Sequence, residues 1–134
     1  MQIKVEWSQA LKFVGQSSKG HQVLMDGNSG TDGASPMELV LMAIAGCSSV
    51  DIVSDLKDAK QKIQGCEVGV TAERAESAPR VFTKIDLLYT VTGTDVDASI
   101  VDKAINASME KYCSVAKMLE PTVEINARFE VKTA

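Results

Sequence analysis

The segment that most constrains this chain is the stretch from Ser35 to Val50. Ser35, Pro36 and Glu38 stand as N-cap, first helical residue and third residue after the cap. In that arrangement a serine hydroxyl and a glutamate carboxylate accept hydrogen bonds from each other's backbone N–H groups, and proline's fixed φ suits the first turn. A helix therefore begins here, and the pattern predicts that it runs to about Ile63 and ends at Gly65. From Leu39 to Val50 it is apolar on nearly every face, whereas from Asp51 to Ile63 it turns only Ile52, Val53 and Leu56 inward. A helix apolar all round must be covered on every side.

Strands supply the cover. Ile3, Val5 and Trp7 alternate with Lys4 and Glu6, followed by Leu11 with Phe13 and by His21, Val23 and Met25, with Gly15 to Gly20 as the turn before the third strand. Asp26 to Ala34 holds three glycines among Asp, Asn, Ser and Thr and reads as a loop. Beyond the long helix, Cys66 to Glu73 alternates with Cys66, Val68, Val70 and Ala72 on one face, and Val81 to Val91 with Val81, Ile85, Leu87 and Val91 on one face. Ser77-Ala78-Pro79 turns between them. Thr94 and Asp97 cap a second helix carrying Ile100, Val101, Ala104, Ile105 and Met109, and Pro121 stops a shorter helical piece from about Cys113 to Glu120. Val123, Ile125, Ala127, Phe129 and Val131 close the chain as a strand. The order implies an α+β fold with an N-terminal strand meander, a long central helix and an antiparallel sheet. No repeat, linker or low-complexity stretch intervenes, so residues 1–134 read as one domain. Six strands are thin cover for the helix, and an intertwined homodimer, each helix packed by the other subunit's sheet, resolves the shortfall.

Charge and cysteine usage narrow the function. A net charge of -4, with no Lys or Arg run interleaved by aromatics, gives nucleic acid no counter-ion surface. The alternating N-terminus lacks the apolar region of a secretion signal, and the longest apolar run, Leu39 to Cys47, is far short of the ~20 residues of a membrane span. The expected setting is the cytoplasm, with Cys47, Cys66 and Cys113 as reduced thiols. A single histidine and no CxxC leave no pattern for structural zinc, and no metal or bound cofactor is expected.

Cys47 lies in Ala45-Gly46-Cys47-Ser48-Ser49, where small neighbours leave room beside the sulfur. Cys113 lies in Lys111-Tyr112-Cys113-Ser114-Val115, at a helix junction whose free N–H groups favour a thiolate. Spacing alone leaves two readings open, a functional thiol pair or two small buried hydrophobes.

The segment Ser35-Pro36-Met37-Glu38-Leu39, followed by Ala43-Ile44-Ala45-Gly46-Cys47 and by a second cysteine in Glu110-Lys111-Tyr112-Cys113-Ser114-Val115 before a last strand, resembles the OsmC/Ohr family of thiol peroxidases, in particular its YhfA-like branch. The resemblance covers essentially the whole chain. It implies an intertwined α+β homodimer, a peroxidatic Cys47 that attacks an organic hydroperoxide, a resolving Cys113, and recycling by an external dithiol of the lipoyl or thioredoxin kind. Family members activate the first cysteine with an N-terminal arginine and a glutamate near the start of the long helix. This chain has no arginine before Arg74, and the glutamate's position falls on Met37, since Glu38 belongs to the cap. Lys12, Lys19 and His21 are the candidate substitutes. Asp51, one turn after Cys47, disfavours a thiolate or else holds a cation or caps a polar contact at the dimer interface, and Cys66 reads as packing. Two functions follow: a thiol redox protein reducing organic hydroperoxides, or a non-catalytic dimer that binds a small hydrophobic molecule or senses oxidants.

Overall fold

A computed structural model describes all residues from Met1 to Ala134. The chain forms two compact units, Met1–Met42 and Ala43–Ala134. The first holds β1 (Ile3–Gln9), β2 (Lys12–Ser17) and β3 (Gln22–Asp26) in an antiparallel meander of that order. Pairing places Val5 against Gly15 and Gly15 against Val23, and Trp7 against Phe13 and Phe13 against Met25, so one face of the sheet is apolar. Every residue of β1 is exposed, Trp7 to 67%. In the loop that follows, the buried Asp26 carboxylate accepts the N–H groups of Asn28 at 2.8 Å and Asp32 at 2.9 Å, which hold it below the usual carboxylate range.

Helix α1 (Pro36–Asp58) starts where the capping residues put it. Ser35 N–H donates to Glu38 Oε1 at 2.9 Å, and Glu38 N–H donates to Ser35 Oγ at 3.2 Å. Loss of such a cap costs about 1 kcal/mol. Gly30 backs onto it with a left-handed φ of +69°, and a Cβ there would lie 2.5 Å from Glu38 Oε1.

The helix ends at Asp58, about five residues before the expected Ile63. Lys60 adopts a left-handed φ of 61°, Gln61 N–H donates to the Leu56 carbonyl at 2.9 Å and Lys60 N–H to the Lys57 carbonyl at 3.0 Å. This is a Schellman stop made without glycine. Gly65, expected to end the helix, instead sits at a bulge in β4 (Lys62–Arg74), where the pairing with β5 (Phe82–Thr94) shifts register between Ile63 and Gly65.

The second sheet has the order β4-β5-β6, with β6 at Glu124–Thr133. β4 and β5 form the expected antiparallel hairpin, but β6 runs parallel to β5, which corrects the expectation of a wholly antiparallel sheet. The reason is the connection. Between β5 and β6 lie α2 (Ala98–Ala107), a π-helical turn (Ser108–Tyr112) and α3 (Ser114–Leu119), a crossover that returns the chain in the same direction, as a hairpin cannot. Asp97 caps α2 by accepting Ser99 N–H at 2.9 Å.

Ile44, Ser48, Ile52 and Leu56, spaced four apart on α1, are fully buried, as are Ile85, Leu87, Tyr89 and Val91 at every second position of β5. α1 is long and apolar enough to pass for a membrane span; here it meets β5 through the Ser48–Tyr89 hydrogen bond. Its opposite side is open: Ala43 and Gly46 are exposed, and Val50 is 70% exposed. The all-round cover demanded by the sequence is supplied on one stripe only.

Candidate functional site

Within the Ala43–Ala134 unit, α1 and the α2–α3 crossover bring Cys47 and Cys113 together, both as free thiols. Cys47 is half-buried in mid-helix, and its neighbour Gly46 would carry a Cβ with nothing within 4 Å, so the helix surface beside it is open. Cys113 is fully buried. Its backbone, at φ -74° and ψ 102°, leaves the π-helical turn and caps α3, so that Sγ accepts Ala116 N–H at 3.4 Å. The same sulfur faces the Ile44 carbonyl at 3.9 Å, one turn before Cys47, and has the Cys47 thiol as a neighbour.

These contacts oppose one another. Burial pushes the Cys113 thiol up, the Ala116 N–H pulls it down and the adjacent Cys47 pushes it up again; it is pushed up to about 11. The helix N–H groups that the sequence suggested would favour a thiolate are present, and desolvation outweighs them. At neutral pH Cys113 is a thiol.

A polar core lies beside the pair. Ser48 Oγ is 2.5 Å from the Tyr89 hydroxyl, 2.8 Å from the Ile44 carbonyl and 3.1 Å from the Ala45 carbonyl. The serine has one proton and two carbonyls to receive it, so Ser48 donates to the helix backbone and Tyr89 donates to Ser48. Burial, more than its neighbours Cys113, Cys66 and Asp51, pushes the Tyr89 phenol up to about 12, and it keeps its proton. The Ile44 carbonyl is thus shared by Ser48 and Cys113.

Asp51 accepts a hydrogen bond from Ser108 Oγ at 2.8 Å. Cys66 stands half-buried on β4, its thiol raised by burial, in agreement with a packing role. Lys12 is paired with Asp32 at 2.8 Å within the first unit, and Lys19 and His21 are exposed around the β2–β3 turn. Arg74 donates Nε–H to the Arg80 carbonyl at 2.8 Å and lies over the Phe82 ring. Ser48, Tyr89 and Ser108 were not singled out in the sequence. Tyr89 was legible from its place between Leu87 and Val91 on a strand alternating by twos, and Ser48 from its place between Ile44 and Ile52 on a stripe repeating by fours.

A family of OsmC-like proteins matches residues 27–128 of this chain. Protein YhfA of Escherichia coli K12 is 52% identical over 134 residues, covering 100% of both chains. A solved structure of a hypothetical protein from Aquifex aeolicus is 28% identical, with a TM-score of 0.90 over 99% of this chain and 96% of its own. The fold is also that of the organic hydroperoxide resistance protein OhrB of Bacillus subtilis, at 19% identity and a TM-score of 0.64, covering 97% of this chain and 98% of that one. The chain belongs to the OsmC-like family.

Tyr89 and Cys113 hold their protons more tightly in the fold than in an unfolded chain, where phenol and thiol titrate near 10.0 and 9.0. The stability that this lends is intact below about pH 9 and is lost as pH rises toward the folded values, because the unfolded chain releases those protons first. Urea unfolding under reducing conditions should therefore give a lower midpoint at about pH 11 than at about pH 8, and Tyr89→Phe should lessen the alkaline loss. An equal midpoint at both pH values would contradict the burial of these two groups.

Proposed function

We propose that this protein is a homodimeric thiol redox protein that reduces organic hydroperoxides, with Cys47 as the attacking thiol and Cys113 as the resolving one. The observation that carries the reading is the meeting of the two thiols, half-buried Cys47 beside fully buried Cys113. Membership of the OsmC-like family supports a redox role in general.

In the first step the Cys47 thiolate attacks the O–O bond. One oxygen goes to sulfur as sulfenic acid, and the other leaves as an alkoxide that takes a proton to become the alcohol. Cys113 sulfur then attacks the Cys47 sulfenic sulfur; the S–S bond forms, the S–O bond breaks, and the departing hydroxide leaves as water with the proton of the Cys113 thiol. A raised Cys113 suits this order, since a neutral buried thiol does not compete for the peroxide while Cys47 waits. An external dithiol restores both thiols by exchange through a mixed disulfide. No arginine among Arg74, Arg80 and Arg128 figures in the bonding around the thiols, so the first step should be slower than in arginine-bearing relatives.

Stopped-flow mixing with cumene hydroperoxide tests this. Wild type should lose two thiols per peroxide, Cys47→Ser should leave the peroxide untouched, and Cys113→Ser should stop at a sulfenic acid that an alkylating dione traps. If Cys47→Ser consumes peroxide as wild type does, the assignment fails. If wild type is inert, the surviving reading is a ligand-binding or oxidant-sensing member of the fold.

The dimer is proposed on the open apolar surface. Ala43, Gly46 and Val50 form a stripe of small and branched residues at helical spacing on α1, and Ile3, Val5 and Trp7 are exposed on one face of the meander. Such surface, shed by neither unit on its own, is what a second copy would cover. Sedimentation equilibrium should give twice the 14.3 kDa chain mass. A stable monomer at micromolar concentration would refute the proposal.

A further inference from the structure

Asp51 is the ionisable group on α1 nearest in sequence to Cys47, and the hydroperoxide mechanism gives it no part. Its actual partner suggests another role. Ser108 is fully buried, and its hydroxyl donates to Asp51 Oδ2 at 2.8 Å, fifty-seven residues away in sequence. Ser108 is also where α2 ends and the π-helical turn begins, and its carbonyl accepts the N–H of Cys113 at 2.8 Å, five residues on. One residue thus grips α1 with its side chain and Cys113 with its backbone. Asp51 in turn is four residues, one helical turn, from Cys47. The links close a ring: Cys47 to Asp51 along α1, Asp51 to Ser108 by the hydrogen bond, Ser108 to Cys113 across the π turn, and Cys113 back to α1 through the Ile44 carbonyl and the Cys47 thiol.

We propose that Asp51 and Ser108 are positioning residues for the thiol pair, fixing the π-helical turn on α1 so that Cys113 sulfur stands ready to close on Cys47. A hydrogen bond to a carboxylate is among the stronger polar contacts a protein makes. A π turn departs from the α-helical register, so an external tie has a register to hold. The inference rests on the reading of Cys47 and Cys113 as a redox pair; it adds what holds them in place and why an acidic residue is kept one turn from a reactive thiol.

The experiment is a thiol–disulfide titration in glutathione redox buffers with Cys66→Ala as the background, reading the Cys47–Cys113 disulfide by mass spectrometry after acid quench and alkylation. The equilibrium gives the effective concentration of Cys113 toward Cys47 and needs no hydroperoxide. Ser108→Ala and Asp51→Ala should each lower that concentration by about 10- to 100-fold, the loss expected when reacting groups are misplaced by about 1 Å. Asp51→Asn, whose side-chain oxygen still accepts from Ser108, should lose much less, and the double alanine variant should be no worse than the poorer single one. In Ser108→Ala the alkylation rate of Cys47 in the presence of Cys113→Ala should be unchanged, which separates positioning from general loosening of α1. Wild-type effective concentration in both alanine variants, or an equal fall in Asp51→Asn, overturns the inference. No Cys47–Cys113 disulfide in the Cys66→Ala parent at any poise overturns the redox-pair reading itself, and the inference with it.

Discussion

The hydrogen bond between Ser48 and Tyr89 is the contact on which the Ala43–Ala134 unit turns. It joins the centre of α1 to the central strand of the β4-β5-β6 sheet, with both residues fully buried. The Tyr89 hydroxyl left alone in that core would cost about 1–3 kcal/mol, so it calls for a polar partner at Ser48 and so favours one rotation of α1 about its axis. Once Ser48 faces β5, Ile44, Ile52 and Leu56 must follow it into the core, because they share its stripe. Cys47, a residue earlier, is turned about 100° away, half-buried and toward Cys113. The placement of Cys47 is a by-product of how its neighbour is buried.

The thiol pair is asymmetric for the same reason. Cys113 lies in full burial and owes its raised proton affinity first to desolvation, in spite of the N–H that α3 offers it. Cys47 lies at the edge of the core, next to a glycine that leaves the surface open. Of two identical groups, environment leaves one half-buried and the other fully buried, an asymmetry in keeping with the proposed attacking and resolving roles.

Much of this was legible in the sequence, and the misses have particular causes. Ser35, Pro36 and Glu38 fixed the start of α1 because a capping box is local chemistry among adjacent residues. The end of α1 is hidden in the sequence because Lys60, not a glycine, takes the left-handed position, and side-chain identity does not betray that conformation in a lysine. Gly65 has the look of a helix stop but sits at a β-bulge, since glycine punctuates helices and strands alike. The parallel placement of β6 depended on where a helical crossover docks, which no alternation pattern within the strand records. The π-helical turn from Ser108 to Tyr112 has no composition of its own, and with it Ser108 and the partner of Asp51 were hidden. Cys47 and Cys113 were recognisable as a pair through the resemblance to the OsmC/Ohr family, whereas spacing alone left them open; their meeting depends on that crossover.

The central claim is that these two thiols, and not Cys66, form a matched pair. Mild oxidation of the reduced protein with a stoichiometric hydroperoxide, followed by alkylation and peptide mapping, examines it most directly. The account predicts one intrachain disulfide joining Cys47 and Cys113, with Cys66 recovered as the alkylated thiol. A disulfide involving Cys66, or three free thiols after the peroxide has been consumed, would contradict it.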